Sequence, residues 1–372
     1  MSLEARLRER IQREGPISFY EWMKAALYDE RDGYYSVDRV RQGRRGDYRT
    51  APETSSLFSA TFADYFAKLF WDLGSPDRFT ILEVGAGSGA FAHGLLTTLR
   101  RDAPQVFAAT HYLFEEIGGA AGARCAARLE AFSDRVSVRR PSVSEGNFDR
   151  DQSSSRGTIT GIIFSNELID AFPVNRVVKR NGRLQQLFVD VNDDKFVWVE
   201  GDLEQPVSEY CKCINLDLRE GQTAEINLDA ETFIARAAQL LDAGYFVTVD
   251  YGAQRNELLN DPNRREGTLR AFRGHQFADD FLARAGEQDL TTTIDWTQIM
   301  EAGERAGLRT IRFERLDQFL IREGLLDRLG DIIGSTTDAA EALQLTTGAR
   351  ELILPTGMAA SFQVLVQEKP GG

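Results

Sequence analysis

Residues 79–101 read FTILEVGAGSGAFAHGLLTTLRR. An apolar-rich run ends at Val84, glycines follow at 85, 87 and 89, and a helical pattern runs from 90 to 100. A strand, a tight glycine turn and a helix in that order open an α/β sheet of the nucleotide-binding kind. Glycine lets the backbone turn sharply and lets a ligand approach main-chain amides closely. The alternation continues outward. HYLFEE (111–116), VSVRR (136–140) and TGIIFS (160–165) read as short buried strands, with a helical pattern at 119–132. A helix at about 229–242 leads into GYFVTVDYG (244–252), and one from Asp295 to Ala306 leads into LRTIRF (308–313); SFQVLVQ (361–367) closes the set. Such alternation argues a mostly parallel sheet with right-handed crossovers.

Other stretches depart from this grammar. Leu3, Leu7 and Ile11 share one face of an N-terminal helix, and Ser18-x-x-Glu21 is a capping box opening a second helix that Gly33-Tyr34-Tyr35 ends. Residues 39–49 hold five arginines around Gly43 and Gly46 and read as a mobile loop. A helix from about Ser55 to Leu73 carries Leu57, Phe58, Phe62, Phe66, Leu69 and Phe70 at core spacing. Residues 174–200 read as antiparallel strands joined by Asn181-Gly182 and by Asn192-Asp193-Asp194, since Asn-Gly between alternating strands is a strong hairpin signal. Residues 253–293 show little periodicity; a loop that long inside a compact domain is functional or disordered, and a substrate-side loop is expected.

Composition excludes several classes. The 57 acidic and 44 basic residues leave a net charge of −13, which repels phosphate backbones and anionic membranes, so nucleic acid is an improbable partner. No apolar run approaches the ~20 residues needed to span a bilayer. The charged N-terminal segment lacks a signal-peptide core, and Cys125, Cys211 and Cys213 are too few for a disulfide framework. With three histidines and no C-x-x-C, no metal site is expected. The chain reads as cytoplasmic. Arginine supplies 38 of the 44 basic residues, a bias that base composition of the genome explains most simply.

The glycine motif spans Glu83 to Gly89 and admits three readings: a structural turn, nicotinamide binding, or S-adenosylmethionine binding. Glu83, two residues before Gly85, can meet a cationic amino group rather than a pyrophosphate, which favours the amino-acid nucleoside. Glu115, at the next strand end, can bind ribose hydroxyls in either cofactor class. Ser165-Asn166-Glu167-Leu168-Ile169-Asp170 follows the fourth strand, and ligands of open α/β sheets collect outside carboxyl strand ends. Asn166, Glu167 and Asp170 can therefore hold a guanidinium or amine by charge-assisted hydrogen bonds and aim its lone pair at a methyl group. Helix caps and solvated loop carboxylates are the plain alternative. Methyl transfer needs no Ser-His-Asp constellation. His93 and His111 are expected to be structural, whereas His275, in the long insertion, is the histidine placed to reach a site.

The sequence resembles the MidA-like class I methyltransferases, a family that includes an arginine methyltransferase of mitochondrial complex I assembly. The likeness rests on ISFYEWMKAALYDERDGYY (17–35), GDYRTAPETSSLF (46–58), ILEVGAGSGAF (81–91), SNELIDAFPVNRVV (165–178) and VDYG (249–252). It extends through LRAFRGHQFADDFLARAGEQDLTTTIDW (269–296), LDQFL (316–320) and LPTGMAASFQVL (354–365). The resemblance implies a Rossmann-like seven-stranded sheet with a final antiparallel strand, an N-terminal helical cap at 1–75, and a methyltransferase domain at 76–372 with a β-meander at 174–228 and the loop at 253–293 inserted. It implies S-adenosylmethionine as cofactor, cradled by Gly85, Gly87 and Gly89 with Glu83 at its amino group. Glu115 would take the ribose, a role for which the neighbouring Glu116 also qualifies. Asp47, Thr50, Pro52 and Glu53 would lie on a loop beside the cofactor, with Asn166, Glu167 and Asp170 on the acceptor side. The implied acceptor is an arginine of a protein, a 49-kDa-type complex I subunit in mitochondrial members. The same fold also serves small-molecule and nucleic-acid methyltransferases, or a non-catalytic assembly factor.

Overall fold

The computed structural model describes residues 1–37, 51–139, 158–274, 276–354 and 357–371. The arginine-rich stretch at 39–49 and the serines at 153–155 lie outside the described residues. The chain divides into two compact units. One comprises 40–168, 234–252 and 300–372; the other comprises 1–39, 169–233 and 253–299.

The first unit is built on the sheet expected from the glycine motif. Its strands are β1 (Phe79–Val84), β2 (Thr110–Glu115), β3 (Val136–Val138), β4 (Ile159–Asn166), β5 (Leu241–Ala253), β6 (Arg309–Arg315) and β7 (Phe362–Lys369). They run in the order β6-β7-β5-β4-β1-β2-β3. The pairs from β5 to β3 are parallel, while β7 lies antiparallel to both β5 and β6. Every residue of β1 is buried, which is why it reads as a continuous apolar run rather than an alternation. At the sheet centre Gly161 and Gly244 permit a close approach: a Cβ on Gly161 would stand 2.0 Å from the Thr80 carbonyl oxygen, and one on Gly244 1.9 Å from that of Gly161.

The helix Ser56–Asp72 belongs to this unit. Its Phe62 ring meets Phe58, Phe66, Phe91, Phe164 and Phe319 with centroids 4.8–5.9 Å apart. Phe91 stacks on Phe164 of β4 at 4.2 Å. Residues 51–72 thus group with the sheet, because their aromatic stripe is part of its core, and the cap boundary drawn at residue 75 does not coincide with the division between units. Arg328 ties the helix Leu325–Ser335 to Asp64 and Asp102.

The second unit holds the helices Leu3–Glu14 and Phe19–Tyr28, with Leu3, Leu7 and Ile11 buried and the Ser18 hydroxyl accepting from the Glu21 N–H at 3.4 Å. Its antiparallel sheet joins Ile17–Ser18, Asn175–Arg180, Arg183–Asn192, Lys195–Gly201 and Thr223–Ile226. Asn181 and Gly182 have φ of 52° and 75°, as a two-residue primed turn requires, and Asp193 and Asp194 form the second turn at 47° and 63°. Residues 253–293 are more regular than their sequence indicates: a helix at Arg255–Asn260 precedes a three-stranded antiparallel sheet of Arg270–Arg273, Gln276–Phe277 and Asp289–Thr291. Arg176 is buried against Glu225 at 3.1 Å and lies over the Trp198 ring.

Phe62→Ala removes a fully buried ring from the centre of the aromatic cluster. It should lower unfolding stability by about 3–5 kcal/mol, read as a lower urea midpoint at unchanged slope.

Candidate functional site

The site is built from the carboxyl ends of β1, β2, β4 and β5. Gly85, Gly87 and Gly89 all have positive φ, at 76°, 53° and 72°. The end of β2 holds this turn. The Glu115 carbonyl accepts from the N–H groups of Gly85 and Ala86 at 2.9 and 3.2 Å, and the Glu116 carboxylate accepts from Gly87 at 2.7 Å and Gly118 at 3.2 Å. The Glu115 carboxylate is engaged elsewhere, by the Arg139 guanidinium at 3.0 Å. Glu116 is therefore the acid turned toward the glycine loop. Burial raises its pKa against the opposing pull of three backbone N–H groups.

Glu83 lies beneath the turn, fully enclosed, and accepts from the Tyr112 hydroxyl at 2.7 Å. Burial pushes its carboxyl up to about 8; the Tyr112 hydrogen bond pulls the other way and the nearby Glu116 charge adds to the rise. Both partners of this pair were separable in the sequence only as a motif acid and a strand aromatic. A Cβ on Gly89 would stand 2.8 Å from the buried Cys125 sulfur, so that glycine is fixed by packing as well as by its backbone.

At the end of β4, Glu167 has φ 51°, an unusual conformation for a glutamate, and its N–H donates to the Val249 carbonyl at 2.9 Å. Its Oε1 accepts from the Asn166 amide at 3.1 Å and the Ala51 N–H at 3.4 Å. The short helix Ala51–Thr54 thereby carries Pro52 and Glu53 to the same edge. Two buried acceptors there, Asn166 Oδ1 and Glu53 Oε2, have no hydrogen-bond partner among the described residues. Buried polar atoms are rarely left without a partner. Asp250, wholly buried at the end of β5, accepts from the Tyr251 N–H at 2.8 Å; it escaped the sequence reading because VDYG scans only as strand end.

Asp170 follows in the second unit, 5% exposed, within the 3₁₀ turn Ile169–Ala171. Asp47, Thr50 and His275 lie outside the described residues. His93 packs edge-on to Phe132, and burial with the Arg78 charge holds His111 below its ordinary pKa. Among the described residues no cluster of three or more His, Cys, Asp or Glu is gathered as a metal would need, and no helix is long and apolar enough to cross a membrane.

Comparison with known proteins fits this geometry. A family model for S-adenosyl-L-methionine-dependent methyltransferases matches residues 61–314. The chain is 26% identical over 330 residues to the mitochondrial protein arginine methyltransferase NDUFAF7 homologue of Drosophila melanogaster, covering 82% of this chain and 71% of that protein. It is 26% identical over 371 residues to mitochondrial protein arginine methyltransferase NDUFAF7 of Mus musculus, covering 95% and 81%. A Burkholderia thailandensis protein crystallised with S-adenosyl-homocysteine superposes with a TM-score of 0.86 at 28% identity, covering 98% of this chain and 91% of that one. The names of the NDUFAF7 relatives are mitochondrial, so the cytoplasmic compartment expected from the sequence gains no support from them.

The raised Glu83 carboxyl has a sign that can be checked. A group protonated in the fold up to about pH 8, but ionised above its ordinary value of 4.5 when unfolded, favours the fold fully below pH 4.5 and loses that contribution as pH rises toward 8. Glu83→Gln should flatten this fall, removing a slope of up to about 1.4 kcal/mol per pH unit between pH 5 and 8. Urea midpoints of both proteins across that range measure it.

Proposed function

The chain belongs to the S-adenosyl-L-methionine-dependent methyltransferase family and uses that cofactor, and we propose that the methyl group goes to an arginine side chain of a protein. The observation that carries this reading is the acceptor-rich edge at the end of β4. There the Glu167 carboxylate, Asn166 Oδ1 and Glu53 Oε2 are acceptors, the last two with no donor among the described residues. A guanidinium is all donor, planar and always charged, and complements such a set better than a hydroxyl or a phosphate does. The names of the NDUFAF7 relatives support the same choice.

In this reading the glycine turn and Glu83 take the amino-acid end of the cofactor, and Glu116 takes the ribose in place of Glu115, whose carboxylate Arg139 holds. Bound there, the cofactor supplies an electrophilic methyl group on a sulfonium. Asn166 fixes the Glu167 carboxylate, and Glu167 orients the guanidinium and receives the proton that the attacking nitrogen gives up. The buried edge excludes water that would compete for the same acceptors. Asp170 belongs to the acceptor side. On the short helix Ala51–Thr54, Pro52 is assigned to the cofactor side, and Glu53 to the acceptor in place of the cofactor-side role that the resemblance implies. The protein partner proposed is a 49-kDa-type subunit of respiratory complex I.

Glu167→Gln should abolish methyl transfer while leaving the Kd for S-adenosylmethionine within about tenfold by calorimetry. Glu116→Ala should do the reverse first, weakening cofactor binding by roughly tenfold or more, since it removes a charged acceptor. Mass spectrometry of proteins from cells with and without the chain tests the acceptor: a methylarginine site that vanishes supports the reading, and an unchanged methylarginine profile ends it.

A further inference from the structure

The turn Ile169–Ala171 is three residues long and cannot fix its own position. Each of its consecutive carbonyls is instead held by a different, distant segment of the same unit. The Ile169 carbonyl accepts from the Asn227 side-chain amide at 3.3 Å, beside the turn's own bond from Phe172. The Asp170 carbonyl accepts from the Thr292 N–H at 2.8 Å and its hydroxyl at 3.4 Å. The Ala171 carbonyl accepts from the Tyr28 hydroxyl at 2.9 Å.

Those donors are themselves braced. The Tyr28 ring stacks on Tyr35 with centroids 5.5 Å apart, and the Tyr35 hydroxyl donates to Asp289 at 2.7 Å. Asn227 Oδ1 accepts from the Ala230 N–H at 3.0 Å, and its carbonyl accepts from Gln298 at 2.7 Å. Close packing does not do the same work on every side. A cavity of about 60 Å³, lined by Ile169, Val174, Asn227 and Thr292, adjoins the turn. Where atoms are missing on one side, directional bonds rather than contact set the position of a backbone segment.

We propose that Tyr28, Asn227 and Thr292 are positioning residues for methyl transfer, clamping three successive carbonyls so that Asp170 is presented to the acceptor in one orientation. The inference rests on the acceptor-side role given to Asp170 above. The three act by keeping the Asp170 backbone from drifting, and a displacement on the ångström scale at a reacting centre costs rate rather than stability.

The test uses the full chain, tritiated S-adenosylmethionine and protein extract from cells lacking the chain as the acceptor. Tyr28→Phe deletes one hydroxyl and keeps the stacked ring. Asn227→Asp keeps the acceptor for Ala230 and replaces the donor facing Ile169 with a carboxylate oxygen. Each variant should slow labelling at saturating extract by roughly tenfold, with cofactor Kd within about twofold of the unaltered chain. The double variant should be little worse than the slower single one, because both act through one turn. Rates are counted per cofactor-binding molecule by calorimetry. Unaltered rates in both variants, or losses that track the loss of cofactor-binding protein one for one, overturn the proposal. Asp170→Asn separates the two levels. If it labels at the full rate, or the unaltered chain labels nothing, the acceptor reading fails and takes this inference with it. If it is inactive while Tyr28→Phe and Asn227→Asp are not, only the positioning role fails.

Discussion

Three N–H groups in the glycine turn have no partners within the turn, and everything at the site depends on what satisfies them. The end of β2 supplies the acceptors: one carbonyl takes two of the groups and the Glu116 carboxylate takes the third. A buried donor left unmade costs about 1–3 kcal/mol, so the turn is stable only against this particular strand end. The parallel register of β1 with β2, which pairs Val84 with Glu115, brings the two together. From there β4 and β5 place Glu167 and Asp250 at the same edge.

The sheet was legible because its central strands are buried on both faces and therefore read as apolar runs between helical patterns. The Asn181-Gly182 turn was legible because few residues accept positive φ at two successive positions. Residues 253–293 misled because their helix is six residues long and their strands two to four, shorter than any window in which periodicity shows. The helix at 56–72 was rightly read as apolar, but a stripe of phenylalanines does not say which unit it will join. Pairings across the sequence were out of reach altogether. Nothing near Glu83 names Tyr112, and nothing near Glu115 names Arg139.

Charge tells a similar story. The net of −13 was informative as an exclusion, yet it hides how the arginines are used. Arg176 is buried against Glu225, Arg328 bridges two aspartates, and Arg312 joins Glu323 while lying over Tyr65. A guanidinium suits these places because it forks to carboxylates and stacks on rings at once. Whatever set the arginine bias, the fold uses part of its basic residues internally, each against a carboxylate.

The placement of β7 has a consequence in time. It lies between β5 and β6, yet it is the last of the seven strands along the chain. During synthesis its two neighbours emerge first and have to wait for it with unpaired edges. Each unit is likewise stitched from three separate stretches, so its contacts span long sequence separations. High contact order slows folding, and waiting strand edges invite the wrong partners. The nascent chain is therefore most exposed to misassembly in the interval before residues 362–369 leave the ribosome.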